Sequence, residues 1–83
     1  MIGAFILIQV ASAVGWGNAP TIHSSLHAVP GVKTVHFLTG PTDIIVYVEA
    51  AGNDALMEIL GKVRAVKGVG STDTRVVLPL SGS

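Results

Sequence analysis

The pentapeptide AVPGV at residues 28–32 returns as AVKGV at residues 65–69, an offset of 37 residues. In both copies an apolar helical pattern ends, a glycine supplies the turn, and a run of strand-forming residues begins. A short apolar run also precedes each helical pattern. The sequence therefore predicts two copies of one β-strand, α-helix, β-strand unit.

The four predicted strands fall into two kinds. AFILIQV at residues 4–10 and IIVYVE at residues 44–49 are nearly continuous apolar runs, which is typical of strands covered on both faces. Residues 32–38 and 72–78 mix polar and apolar side chains, as more exposed strands do. We therefore predict that the first and third strands are central and that the second and fourth lie at the edges of the sheet.

Two amphipathic helices are predicted between these strands. The first runs from about residue 19 to 29, with Asn18 as a possible N-cap and Pro20 in its first turn. Asn53 is predicted to cap the second helix, whose apolar stripe comprises Leu56, Ile59, Leu60, Val63 and Val66. Gly61 interrupts this helix, and we expect another backbone to approach it closely.

With right-handed crossovers, the order βαββαβ gives a four-stranded antiparallel sheet with two helices on one face, the ferredoxin-like α+β arrangement. We expect one domain over residues 1–83, with a first repeat at about 3–39, a second at about 43–79 and a flexible end at 80–83. The chain is 49% hydrophobic, and a chain this short buries only about 60% of its unfolded surface. We therefore expect the uncovered sheet face to pack on a second protomer, giving a homo-oligomer.

Composition and charge exclude several classes of protein. Five Lys and Arg balance five Asp and Glu, so the chain lacks the cationic surplus that grips a nucleic-acid backbone. The absence of cysteine excludes disulfides, thiolate metal sites and a cysteine nucleophile. The apolar run at residues 2–8 falls far short of the roughly 20 residues of a membrane-spanning helix. We expect a cytoplasmic protein, with a secretory signal peptide cleaved near the small residues 11–13 as the alternative.

Two polar clusters are candidates for a ligand site. TGPTD at residues 39–43 joins the two halves, and Asp43 could face a ligand ammonium while loop amides or hydroxyls face a ligand carboxylate. The alternative is a hairpin turn in which Asp43 bonds backbone amides. STDTR at residues 71–75 alternates two threonines with an Asp–Arg pair, which also fits a solvated edge strand. Contacts between protomers could bring the two clusters together.

His23 and His27 stand four residues apart on the first helix, a spacing at which two imidazoles can share a metal. No Asp, Glu or Cys lies nearby in sequence to complete a ligand set, so we expect half-exposed imidazoles and no metal site.

Trp16, between two glycines, is either a flap over a pocket or a contact between protomers, and we favour the contact. The aromatic strand residues are expected in the core or at an interface, namely Phe5, Phe37 and Tyr47.

Catalytic signatures are not visible. Ser24 and Ser25 neighbour the helical histidines, but adjacent helix residues do not face each other and no acid accompanies them. No glycine run precedes a Lys-Ser or Lys-Thr pair, so there is no phosphate-binding loop. We expect a protein that is not an enzyme and that needs no cofactor.

Several motifs, in this order and spacing, resemble one family. They are the helix-ending AVPGV turn, TGPTD between the halves, IIVYVEA after it and GVGSTDTRVVL near the end. Together they resemble the RAM (regulation of amino-acid metabolism) domain, the effector-binding half of Lrp/AsnC-type transcription regulators. The resemblance implies a dimeric α+β barrel, formed through the open sheet faces, that assembles further into tetramers or rings. It also implies amino-acid effectors bound between dimers, with candidate ligand residues Gly40, Pro41, Thr42, Asp43, Thr72 and Thr74.

The regulators carry a helix-turn-helix domain before this one, whereas the first strand here begins at residue 3 or 4. The resemblance therefore implies a stand-alone, non-enzymatic effector module that joins or modulates full-length regulators without binding DNA itself. One alternative is a small dimeric α+β barrel enzyme resembling antibiotic-biosynthesis monooxygenases, with His36 and Trp16 in the barrel cavity. The other is a purely structural oligomerisation partner that binds no ligand.

Overall fold

The computed structural model describes residues 1–11, 19–39 and 42–78. These residues form six elements in the order β1 (Ile2–Val10), α1 (Ala19–His27), β2 (Val32–Phe37), β3 (Ile44–Ala50), α2 (Asn53–Arg64) and β4 (Val69–Val76). The four strands make one antiparallel sheet in the order β2-β3-β1-β4. The ferredoxin-like prediction is confirmed, including the central β1 and β3 and the edge strands β2 and β4.

The repeated pentapeptide forms the same turn twice. Gly31 and Gly68, its equivalent glycines, have φ of 97° and 103°, a left-handed conformation that side chains other than glycine rarely adopt. Two backbone hydrogen bonds close each turn, from Val29 to Leu26 and Val32 to Val29, and from Val66 to Val63 and Val69 to Val66. The repeat in sequence is thus a repeat in backbone geometry, and it directs each helix back onto the sheet.

The second helix confirms its predicted apolar face but corrects two details. Leu56, Ile59, Leu60 and Val63 are buried, and Val66 packs partly buried against them. Gly52 is the N-cap, in extended conformation and without a side-chain cap, so the prediction of Asn53 as the cap is wrong. Gly61 is exposed, and a methyl group added there would meet nothing within 4 Å among the described residues, so the expected close approach is not found there.

Burial along the central strands alternates, although their sequences are almost continuously apolar. Ala4, Ile6 and Ile8 of β1 are fully buried beneath the helices, as are their β3 partners Val48, Val46 and Ile44. The alternate residues Phe5, Leu7, Ile45 and Tyr47 lie on the other face, which neither α1 nor α2 covers. Phe5 is 39% exposed there. We call this second side of the sheet the open face; the described residues cover only one face of each central strand.

The element boundaries differ from the sequence prediction by a few residues. β1 begins at Ile2, α1 ends at His27, and β4 begins at Val69 because strand pairing resumes directly after the Gly68 turn. Asn18, Trp16, Gly40, Pro41 and the predicted flexible end at 80–83 lie outside the described residues. Within the described ranges, no helix combines the length and the hydrophobicity needed to cross a membrane.

Candidate ligand-binding site

Asp43 precedes β3 and connects three strands at one end of the sheet. Its carboxylate Oδ2 accepts a hydrogen bond of 2.9 Å from the backbone N–H of Val10, at the end of β1. Its own N–H donates to Ile8 O at 3.1 Å, and its carbonyl accepts from Leu38 N–H at 2.7 Å, just after β2. The interpretation in which Asp43 bonds backbone amides therefore describes part of its role. These bonds also hold its charge in a fixed position.

Thr72 and Thr74 lie on the helix-covered side of edge strand β4. They pair with Ile8 and Ile6 of β1, whose side chains are fully buried on that side. Both threonines are only half-buried because they stand at the edge of the sheet. The Thr72 hydroxyl accepts a hydrogen bond of 3.3 Å from Arg64 Nε of α2. The helix thus positions one of the predicted ligand hydroxyls.

Asp73 and Arg75 lie on the opposite side of β4, as the alternation predicts. Arg75 Nη2 and Nε donate to Asp73 Oδ2 at 2.8 and 3.1 Å. The hydrogen bonds from Arg75 lower the pKa of Asp73, partial desolvation opposes them, and the positive charge of Arg75 adds to the lowering. Both residues are exposed, so this pair is weakly stabilising and lies apart from the threonines.

The two predicted clusters come to the same end of one protomer. Ile8 of β1 pairs with Ile44 on one side and with Thr72 on the other, so Asp43 and Thr72 flank the end of a single strand. Two strand spacings separate such positions by about 10 Å. Thr42, half-buried, adjoins Asp43, whereas Gly40 and Pro41 lie outside the described residues. The topology of one chain therefore places the described candidates together, before any contact with a second copy.

Sequence reasoning missed Gln9 at this end, and it included Ser71 only as a member of the 71–75 cluster. The hydroxyl of Ser71 donates to Gln9 Oε1 at 3.3 Å, linking β4 to β1 on the open face. Gln9 is the one polar residue in the apolar run at 4–10, and this interruption is the signal that could have found it. Both side chains are exposed.

A shallow groove of about 240 Å³ lies at the opposite end of the sheet. Its charged lining residues are Glu49 of β3 and Glu58 and Lys62 of α2, around the Pro30–Gly31 turn. Glu49 also lies 4.0 Å from the ammonium of Lys33. The signal for this groove in the sequence is weak, because Glu58 and Lys62 stand four apart on a helix, which ordinarily indicates only a solvated ion pair.

The open face carries an aromatic pair at its centre. Phe5 and Tyr47 face each other on β1 and β3, with ring centroids 5.0 Å apart. The Tyr47 hydroxyl donates to Glu49 Oε2 at 3.3 Å. Desolvation raises the pKa of Tyr47, and the negative charge of Glu49 and its hydrogen bond raise it further. This apolar centre with a polar margin has the composition of a protein interface.

Of the two residues named for the alternative enzyme hypothesis, only His36 lies among the described residues. His36 pairs with Ile45 and is exposed on the open face of β2. Trp16 lies outside the described residues. In the described ranges, no group of three or more His, Cys, Asp or Glu side chains is placed to hold a metal ion.

Several solved structures share this fold. E. coli AsnC is 28% identical, with a TM-score of 0.80 over 95% of this chain and 53% of that one. The protein FFRP-DM1 is 30% identical, with a TM-score of 0.80 over 94% of this chain and 100% of that one. A feast or famine regulatory protein from M. tuberculosis, complexed with L-methionine, is 22% identical, with a TM-score of 0.78 over 100% of this chain and 54% of that one.

A homocitrate synthase from Sulfurisphaera tokodaii is 49% identical over 53 residues, which are 64% of this chain and 12% of that enzyme. This chain therefore spans about half the length of AsnC and a small part of the synthase. The family described as the Lrp/AsnC ligand binding domain matches residues 3–79. The match covers all six elements apart from the first residue of β1, and the chain belongs to the Lrp/AsnC ligand-binding domain family.

Proposed function

We propose that this chain is a non-enzymatic domain that binds an amino-acid effector. The observation that carries the proposal is the membership of residues 3–79 in a family described as ligand-binding. The regulator from M. tuberculosis that shares this fold over the whole chain is complexed with L-methionine. The acid and base groups of a small zwitterion suit the polar end of the sheet described above.

We place the effector at Gly40, Pro41, Thr42, Asp43, Thr72 and Thr74. An ionised carboxylate has two oxygens and about four acceptor positions, and the bond from Val10 uses one position on Asp43 Oδ2. The carboxylate therefore keeps the charge and the capacity to accept from a ligand ammonium. The threonine hydroxyls can donate to the ligand carboxylate, since each has one O–H.

The proposal includes assembly through the open face. Phe5, Leu7, Ile45 and Tyr47 form an apolar centre that the helices leave uncovered. Covering it with the same face of a second copy buries a self-complementary surface, which is how two-fold dimers form. The resulting dimer is the α+β barrel that the family resemblance implies, and larger assemblies are proposed from pairs of such dimers.

The wider role of the domain is proposed to be regulatory and cytoplasmic. Its family relatives include regulators about twice its length and a biosynthetic enzyme of which it matches 12%. We propose that it conveys effector binding to a larger protein, such as a full-length Lrp/AsnC regulator. With five basic and five acidic residues, the domain itself is not expected to grip DNA.

A thermal-shift screen against the twenty amino acids, with light scattering on the same samples, tests the proposal. A ligand that binds the folded state raises the melting temperature by mass action. We expect a hit in the parent chain and its loss in Asp43→Asn, in which the amide oxygen still accepts the Val10 N–H but the charge is gone. The same loss is expected in a double variant, Thr72→Val with Thr74→Val.

Asp54→Asn is the matched control. It removes the same charge from the first turn of α2, at the other end of the sheet, and is expected to leave the shift unchanged. No hit with any amino acid would overturn the proposed function. A hit that persists in Asp43→Asn and in the threonine variant would instead overturn the site, and would direct attention to the groove at Glu49, Glu58 and Lys62.

A further inference from the structure

The outer side of α1 presents two imidazoles close together. His23 and His27 lie one helical turn apart, and both are exposed. Their neighbours Ile22 and Leu26 are buried and anchor the helix to the sheet. The two ring centroids are 4.6 Å apart, with 55° between the ring planes. The helix is therefore held in place by one pair of residues while the adjacent pair faces outward.

A contact from β2 restrains one of these rings. The centroid of the Phe37 ring lies 5.9 Å from that of His23, at an interplanar angle of 42°. Phe37 pairs with the buried Ile44 and packs partly buried against the core. Because the aromatic ring is itself held by the core, its contact limits the orientations that His23 adopts. Part of the entropy cost of placing an imidazole is thereby met before any ligand arrives.

The separation of the rings matches chelation of a single metal ion. A metal–nitrogen distance of about 2.1 Å puts each ring centre about 3.2 Å from the metal. An angle at the metal between about 90° and 110° then separates the ring centres by about 4.5 to 5.3 Å. The observed 4.6 Å falls at the 90° end of this interval.

The remaining histidine does not join this pair. His36 and Phe37 are consecutive residues of β2, and successive strand side chains lie on opposite faces. Phe37 is on the helix-covered side with His23, whereas His36 pairs with Ile45 on the open face. In the described part of the chain, no third His, Cys, Asp or Glu completes the group. Water would fill the other coordination positions, so the metal would exchange freely.

We propose, contrary to the sequence expectation of no metal site, that His23 and His27 form a two-histidine site for a divalent transition metal, Cu²⁺ or Ni²⁺. Imidazole is a good ligand for both ions, and both lie near the top of the divalent affinity series. The helix places the two ligands on one face, which makes chelation possible with no change of backbone. This site is independent of the proposed amino-acid site, from which it differs in ligand class and in residues.

Isothermal titration of the full chain with NiCl₂ and with CuCl₂ tests this assignment, with MgCl₂ as a hard-ion control. We expect one Ni²⁺ per chain in the parent and no binding of Mg²⁺, which prefers oxygen ligands. Binding is expected to be lost in His23→Gln and in His27→Gln, because one imidazole cannot chelate. His36→Gln, the matched control, is expected to bind as the parent does. Circular dichroism before each titration establishes that the variants are folded.

The spectrum of the Cu²⁺ complex reports the number of nitrogen ligands, which the heat measured in the titration does not. Electron paramagnetic resonance is expected to show coupling to two equivalent nitrogens in the parent and in His36→Gln. In His23→Gln and in His27→Gln, coupling to fewer nitrogens is expected. The double variant, His23→Gln with His27→Gln, measures binding by other groups of the chain. If the folded double variant binds Ni²⁺ as tightly as the parent, or if His36→Gln alone removes binding, the assignment is wrong.

Discussion

The carboxylate of Asp43 accepts the backbone N–H of Val10 at 2.9 Å, a hydrogen bond that spans 33 residues. This bond lies beyond Ile8 and Ile44, the last paired residues of β1 and β3. A side-chain hydrogen bond therefore extends the connection between the two strands past their backbone pairing. On the other side of β1, Ala11 N–H donates to Gly68 O at 2.8 Å. The end of β1 is therefore fixed from both neighbouring strands, at the place where the ligand residues are proposed.

Replacing Asp43 by alanine is expected to destabilise the fold by about 1–3 kcal/mol, because a half-buried N–H loses its acceptor. Asp43→Asn retains an oxygen acceptor and is expected to cost clearly less. Urea denaturation of both variants at equal protomer concentration measures the difference. An alanine variant as stable as the parent would mean that the bond to Val10 contributes nothing.

Two glycine-to-alanine substitutions are expected to change the free energy of unfolding in opposite directions. Gly31 has φ of 97°, and an added side chain there would meet Ile59 and the carbonyl of Glu49, so Gly31→Ala is expected to cost about 1–3 kcal/mol. Gly61 lies in exposed helix with open space around it, so Gly61→Ala is expected to stabilise by about 1 kcal/mol. Each variant is the control for the other, and the denaturation midpoints measure the stability of each relative to the parent. A destabilising Gly61→Ala would contradict the open surroundings of that residue.

The single tyrosine of the chain allows a direct titration of the open face. Desolvation and the nearby Glu49 raise the pKa of Tyr47 above its ordinary 10.0. Ultraviolet absorbance of the phenolate is expected to show this raised pKa in the parent, and a lower value in Glu49→Gln that desolvation still keeps above the ordinary one. An unchanged pKa in Glu49→Gln would show that Glu49 does not act on the phenol.

The same group predicts the direction of a pH effect on stability. The folded state holds the phenol proton more tightly than the unfolded chain does. Its contribution is therefore complete below the unfolded pKa near 10.0 and is lost as the pH rises through the higher folded pKa. Melting temperatures of the parent and of Tyr47→Phe between neutral and strongly alkaline pH test this. The parent is expected to lose more stability over that interval, and an equal loss in Tyr47→Phe would contradict it.

Assembly through the open face is testable with one charge. Ile45→Glu places a carboxylate at the apolar centre of that face, where burial without a partner is costly. Light scattering is expected to show a dimer or larger species for the parent and a folded monomer for Ile45→Glu. Met57→Glu is the control, since Met57 is 62% exposed on α2, away from the sheet. If light scattering gives Ile45→Glu the same assembly mass as the parent, the open face is not the interface.

Most of the fold follows from local patterns in the chain. The helical stripes and the apolar strands are short-range features, and the two glycines of the repeated pentapeptide mark turns that only glycine adopts readily. Two local inferences failed for a common reason. Residue type alone predicts a cap at Asn53 and a close approach at Gly61, whereas the cap is Gly52 and the surroundings of Gly61 are open. Neither property is encoded in the identity of one residue.

The candidate site was less accessible from sequence. The residue types at 39–43 and 71–75 indicate polar, pre-shaped segments, and the resemblance to a family supplies their proposed role. Their position at one end of the same sheet depends on β1 pairing with both β3 and β4, which joins segments about 30 residues apart. The pairing of Gln9 with Ser71 was missed because a hydrogen bond between strands far apart in sequence leaves no periodic signal.

The sequence by itself determined the order of the elements, the buried faces of the helices and the repeated turn, because periodicity and backbone sterics act over a few residues. The order and spacing of its motifs also indicated the family. Tertiary structure alone decided that Asp43 bonds Val10, that Arg64 of α2 bonds Thr72, and that Phe37 restrains His23. Each of these contacts joins different elements of secondary structure. Such distances are set by strand register and by how the helices pack on the sheet, and a linear pattern of residue types does not contain them.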